Sequence, residues 1–200
     1  MEDLKSLLGE WRITCNEGNF VGIGSTRKVY RTGEFVIKIH LHPIGWAQSL
    51  NEQKLYKAMS EKGLSHLFAE VLYVDESICI QKYYQPTELR GNQSFGIDAE
   101  KDSEIIPAGY SEALSILDGE FDSFDLRDSD NYGLDDKGRL IFVDYGMTKN
   151  LYEEQWVPLA ESGILPQIDF DICDACGQQK ELRIYGEGDQ DKRCYSCGKE

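Results

Sequence analysis

The chain has 200 residues, 40% hydrophobic and 28% charged, with a formal net charge of −15; this suits one globular domain, or one with a small appendage, and excludes a disordered chain. So acidic a balance argues against a surface that tracks nucleic acid or docks on anionic membranes, because both need basic patches. No apolar run approaches the roughly 20 residues of a membrane span, and MEDLKSLLGEW, with early acids and no long apolar core, is not expected to be a secretory signal.

Leu4, Leu7 and Leu8 give the opening residues an amphipathic helical pattern. Residues 19–40, NFVGIGSTRKVYRTGEFVIKIH, read as two strands joined by a turn at Thr32-Gly33, with the Gly-rich turn Gly22-x-Gly24 inside the first. Residues 44–61 read as a helix: Trp46 with Leu50, and Leu55 with Met59, are i, i+4 pairs, and Gly63 follows as a stop. Residues 68–84 read as a hairpin turning at Asp75–Ser77, residues 86–108 as a polar loop or hinge, and 109–119 as a helix. The stretch DLRDSDNYGLDDKGRLIFVDYG, Asp125 to Gly146, reads as a loop, a short strand near Tyr132–Leu134, a tight turn at Asp135–Gly138 and a strand Leu140–Asp144. Residues 147–168 are expected to lead through one helix to a cysteine-rich tail.

Several of these residues bear on chemistry. Gly22-x-Gly24 alone is a weak phosphate-loop signal, because turns use glycine freely. Lys38 lies in the apolar strand FVIKI, where a partly buried ammonium needs an anionic partner. Glu52 follows fourteen residues later on the expected helix and can supply it. A structural ion pair, or a Lys on an exposed strand edge, is the plainer alternative. DSDNYG from Asp128 starts like a calcium loop, but Tyr132 and Arg139 stand where an oxygen ligand and a Glu are required, and a strand follows. His40, His42 and His66 form no ligand pattern.

The order of parts resembles the protein-kinase-like superfamily: a Gly-rich loop, a strand Lys, a helix Glu, a hairpin, a linker, a catalytic loop and a metal-binding triplet. GIGSTRKVY is similar to the family's Gly-rich loop followed by Val, here Gly22, Gly24 and Val29, with Arg27 in place of the third Gly. The resemblance implies that Lys38 contacts nucleotide phosphates and Glu52 orients it. DYG resembles the Asp-Phe-Gly triplet, which makes Asp144 a Mg²⁺ ligand, with Asn131 holding the other metal; adenine would meet Gln81–Tyr84. The family's catalytic Asp lies five residues before the Asn, where this chain has Leu126. Asp125, six before, and Asp128, three before, are therefore the candidates, and Asp125 is preferred. The resemblance covers roughly residues 18–160; the activation segment and peptide-binding helices of a full kinase have no counterpart.

Cys173-x-x-Cys176-Gly and Cys194-x-x-Cys197-Gly are two knuckles seventeen residues apart. Four thiolates at this spacing suit tetrahedral Zn²⁺, although a rubredoxin-type iron centre uses the same ligands and a redox role is the alternative. The segment between the knuckles reads as a strand, a Gly-rich turn and a return strand. Together with the isolated Cys15 and Cys79, this usage fits a reducing cytoplasm. From 169 to 200 there are eight acids and five bases, so protein docking, or packing against the shortened C-terminal lobe, is favoured over nucleic-acid contact.

The expected fold is α+β: a kinase-like bilobal domain over 1–168, with an N-lobe of about 1–84 and a reduced C-lobe, plus a small β zinc ribbon over 169–200. The expected function is an ATP·Mg²⁺-dependent phosphotransferase acting on a hydroxyl, a protein Ser/Thr ahead of a small molecule. The alternative is an inactive pseudokinase that binds a protein partner through its acidic surface and ribbon.

Overall fold

Alternating apolar residues in the first half build an antiparallel sheet of order β1-β2-β3-β5-β4 in a computed structural model that describes residues 2–91 and 93–199. Its strands are β1 (Phe20–Ile23), β2 (Arg27–Thr32), β3 (Phe35–His40), β4 (Val71–Val74) and β5 (Ile78–Lys82). The segment expected to form two strands forms three, because Gly24–Thr26 breaks the first. Gly24 N–H closes that break by donating to Arg27 O at 2.9 Å. The period-two rule then divides β3: Ile37 and Ile39 pack against the first helix, α1 (Glu2–Thr14), while Val36 and Lys38 line the opposite face. In β5, Ile78 and Ile80 join Leu7 of α1 in the same way, and Gln81 turns to the other side.

Helix α2 (Pro43–Glu61) is capped by His42, whose Nδ1 accepts from Ile44 N–H, with Pro43 at its first position. Its Leu55 and Met59 enter the main core with Phe68, Tyr132, Phe142 and Tyr145. Helix α3 (Tyr110–Phe121) adds Ala113 and Leu117 to that core. A three-stranded sheet of β6 (Gln85–Pro86), β7 (Tyr132–Leu134) and β8 (Leu140–Phe142) carries the Asp125–Gly146 stretch. The single helix expected after 147 is a helical run, α4 (Lys149–Leu151), a π-turn Tyr152–Trp156 and α5 (Val157–Glu161). Pro158 lacks the N–H that regular α pairing needs, and Val157 N–H reaches back to Tyr152 O.

The final hairpin differs from expectation. Strands β9 (Gln167–Ile172) and β10 (Gln179–Ile184) pair on either side of the first knuckle, so Cys173–Cys176 forms the hairpin turn. The segment after β10 returns with one bridge, Leu182 to Cys194. Asp189 and Asp191 explain this: their carboxylates accept from the backbone N–H groups of Tyr185, Asp191 and Arg193, satisfying groups that a strand would pair. Every named strand pair is antiparallel. No helix among the described residues is long and apolar enough to cross a membrane.

Candidate active-site cleft and metal centre

A cleft of ≈ 620 Å³ opens between the five-stranded sheet and the β6-β7-β8 sheet, a size that suits a small-molecule ligand. Its lining includes Gly22, Gly24, Val29, Lys38, Asp125, Asp128, Asn131 and Asp144, together with Gln81–Tyr84. The expected nucleotide and catalytic residues thus share one cavity, apart from Glu52, which is wholly buried behind it.

Lys38 is held from two sides. Its Nζ donates to both Glu52 carboxylate oxygens at 3.1 Å and to Val143 O at 2.7 Å. The ion pair therefore ties β3 to α2 and to the backbone just before Asp144. A structural pair and a phosphate-binding pair share this geometry; the position of Lys38 on the cleft wall separates it from a purely internal one.

Arg27 completes the charge cluster. It is 4% exposed, donates from Nη1 to Glu52 at 2.8 Å, and forms an ion pair from Nη2 with Asp144. Arg27 shares strand parity with Val29, which lines the cleft, and this is the signal that could have revealed its inward direction. Burial opposes the charge on Arg27, but Asp144 and Glu52 outweigh it and raise its pKa. Burial likewise opposes the charge on Asp144, yet Arg27 and Lys38 hold its carboxyl down to about 2.

Asn131 and Asp144 lie at the two ends of the β7-β8 hairpin. The Asn131 carbonyl accepts from Val143 N–H at 2.9 Å and Asp144 N–H at 3.2 Å, which holds these ends together. Asn131 Nδ2 donates to Asp125 O at 2.6 Å. The two candidate bases differ. Asp128 Oδ1 accepts from Asp130 N–H at 2.9 Å, capping the turn Ser129–Asn131, and Oδ2 accepts from Ser94 at 3.2 Å. Asp125 makes one long side-chain contact, 3.4 Å from Asn131 Nδ2, and its φ of 55° is left-handed. A non-glycine residue there is strained, and Tyr132 hydroxyl, donating to Leu126 O, anchors the adjoining peptide.

The cleft mouth is crowded with carboxylates. Burial, and then Asp128, raise the pKa values of Asp125 and of Glu181, the latter reaching in from β10. Asp130 stays exposed at the cleft mouth, but partial shielding of its carboxyl from water, with Asp128, Glu181 and Asp125 close by, pushes it up to about 6.

The glycines of the two motifs are held differently. A Cβ at Gly146 would overlap the Gln48 carbonyl oxygen and lie 2.8 Å from Glu52 Cγ, so only glycine permits this approach to α2. Gly22 and Gly24 are not left-handed, and the nearest atom to a Cβ at either is Arg27 O, 3.8 Å from Gly24. The fold alone does not demand them.

At the far end of the chain, the sulfurs of Cys173, Cys176, Cys194 and Cys197 lie within 4.8 Å of one another. Tetrahedral thiolate coordination places sulfurs about 4 Å apart, so the cluster is compatible with a metal such as zinc. Cys194 N–H donates to Cys173 Sγ at 3.2 Å, and Gly177 and Gly198 take the left-handed conformation that each knuckle turn requires. Cys173, Cys194 and Leu182 form the buried centre of this hairpin. Among the described residues this is the one such group of His, Cys, Asp or Glu side chains that could hold a metal ion.

The features together define an α+β protein with several antiparallel sheets, a charged interior cleft and a four-cysteine cluster. A scan against protein-family models gives no match, and a search of the curated proteins gives none.

Proposed function

We propose that the chain is an ATP·Mg²⁺-dependent phosphotransferase of the protein-kinase-like type, bilobal, with a reduced C-terminal lobe and a zinc ribbon. The observation that carries this reading is the shared cleft: Lys38 on one wall, backed by buried Glu52, with Asp125, Asn131 and Asp144 on the other, and uncrowded glycines along the rim. Lys38 would bind phosphate oxygens, and Glu52 keeps its ammonium in place. Asn131 and Asp144 offer the hard oxygens that Mg²⁺ prefers, and the ion would neutralise charge developing on the transferred phosphoryl group. Asp125 would accept the proton of the acceptor hydroxyl, because its carboxylate is the less engaged of the two candidates. A protein Ser/Thr remains the preferred acceptor.

The experiment is a thermal-shift titration with ATP·Mg²⁺ on wild type and Asp144→Ala, followed by a phosphate-release assay. Stabilisation of wild type that is lost in Asp144→Ala is expected; no nucleotide-dependent shift in wild type would sink the reading.

One observation favours a second reading, a pseudokinase that binds nucleotide or a partner without transfer. Arg27 already neutralises Asp144, so a metal must compete with a buried guanidinium. Nucleotide stabilisation without phosphate release would select this alternative.

A further inference from the structure

The Gly-rich loop is held by the β1-β2 pairing and the Gly24 N–H bond to Arg27 O, but its glycines are uncrowded, and glycine is the residue that loses most freedom on ordering. A second grip comes from the side of the cysteine cluster. Arg183 of β10, 5% exposed, donates from Nη1 to the Gly24 carbonyl and from Nη2 to Tyr185 hydroxyl at 3.0 Å. Tyr195, inside the second knuckle, stacks on Phe20 of β1 with ring centroids 4.6 Å apart. On the adjoining flank, Ser25 donates to Pro166 O at 2.6 Å and accepts from Trp156 Nε1 at 2.9 Å.

The grip depends on the cluster. Leu182, the neighbour of Arg183, is wholly buried against Cys173 and Cys194 and bridges to Cys194. With that centre loosened, the β9-β10 pairing remains, but the packing that sets Arg183 and Tyr195 against the loop is lost. Domains this small need a metal or disulfides to fold.

We propose that the four-cysteine hairpin is a metal-dependent clamp on the Gly-rich loop, with Arg183 as its positioning residue, so that metal occupancy sets how tightly the cleft takes a nucleoside triphosphate. A loop held in its binding conformation costs less to order when ligand arrives. The nucleotide half of this proposal rests on the function proposed above; the clamp on the loop does not.

The test is hydrogen–deuterium exchange over residues 20–26 of the full chain: zinc-loaded, stripped with a chelator under reducing conditions, and as Arg183→Met and Arg183→Lys. Each form is also titrated with ATP·Mg²⁺, and the Co²⁺–thiolate absorption of each variant reports whether the cluster is intact. Stripping and Arg183→Met should each speed loop exchange and weaken ATP binding by about tenfold, the size of one charge-assisted hydrogen bond. Arg183→Lys should restore part of both, and exchange in β3 and β5 should stay unchanged, which a general loss of structure would not allow. Unchanged loop exchange in the stripped protein overturns the clamp, as does unchanged exchange in Arg183→Met that keeps its Co²⁺ spectrum. If Arg183→Met loses that spectrum, the stripped wild type decides. Loop exchange that responds while no form binds ATP supports the clamp and overturns the nucleotide reading.

Discussion

Arg27, buried behind the cleft lining, forms an ion pair with Asp144 that joins the end of the Gly-rich loop to the Asp-Tyr-Gly triplet. With Glu52 on the other nitrogen of Arg27 and Lys38 on Glu52, two cations and two anions form a balanced chain of charges. Removing one member leaves a poorly solvated charge behind.

Arg27→Met should therefore destabilise the protein by about 3 kcal/mol, typical of breaking a buried pair. Glu52 keeps Lys38, and Asp144 keeps 40% of its side chain open to the cleft, so the loss should not exceed that. ATP·Mg²⁺ should recover more stability in the variant than in wild type, since a cation then answers Asp144. Urea unfolding with and without ATP·Mg²⁺ measures both; equal stability of variant and wild type would show that the pair contributes nothing.

The glycines separate packing from function. Gly146→Ala drives a methyl into the Gln48 carbonyl of α2 and should cost about 3 kcal/mol, the upper range for overpacking. Gly24→Ala meets only an ordinary van der Waals contact, Arg27 O at 3.8 Å, and should change stability by no more than about 0.5 kcal/mol, while weakening ATP binding. Parallel denaturation and binding curves check this; equal losses of stability in the two variants would remove the distinction.

Acid and base act on the cleft in opposite directions. Asp144 is held below the usual carboxylate range, so the stability it contributes is present above that range and is lost as pH falls toward about 2. Asp130 is raised to about 6, so the folded chain binds its proton more tightly than the unfolded one, and stability falls as pH rises through that value. Asp130→Asn should stabilise the protein near neutral pH and have no such effect in strong acid. Asp144→Asn should destabilise it near neutral pH and matter least in strong acid. Unfolding free energies across the pH range give both signs, and a stabilising Asp144→Asn at neutral pH would contradict this account.

The local elements were legible because their cues are local. Helix α2, the β4-β5 hairpin and the Asp135–Gly138 turn follow from i, i+4 spacing and turn residues. The two Cys-x-x-Cys-Gly knuckles predicted a cluster because their spacing is dictated by coordination chemistry. What the sequence hid was long-range. Nothing near Arg183 signals a bond to Gly24, 159 positions away. Arg27 looked only like a missing glycine, because its two anionic partners are distant in the chain. The hairpin around the first knuckle was misplaced because aspartates between the knuckles turn the chain on itself, a competition that strand patterns do not record.

The two candidate bases should respond differently to neutralisation. Asp128→Ala removes the turn cap and should cost about 1 kcal/mol of stability while leaving residual phosphoryl transfer. Asp125→Asn should leave stability and ATP affinity near wild type and abolish transfer. Single-turnover phosphate release beside denaturation curves distinguishes them, and full activity in Asp125→Asn would reassign the base.

The contact between Gly146 and α2 has a mechanical consequence. With the Gln48 carbonyl seated where a side chain would stand, and Asn51 Nδ2 donating to Gly146 O at 3.0 Å, helix and triplet are braced as one rigid strut. An outward swing of α2, which would separate Glu52 from Lys38, would drag Asp144 with it. Whatever freedom is left to this cleft then lies on its opposite jaw, where the glycine-bearing rim moves only as far as Arg183, Tyr195 and Ser25 let it go.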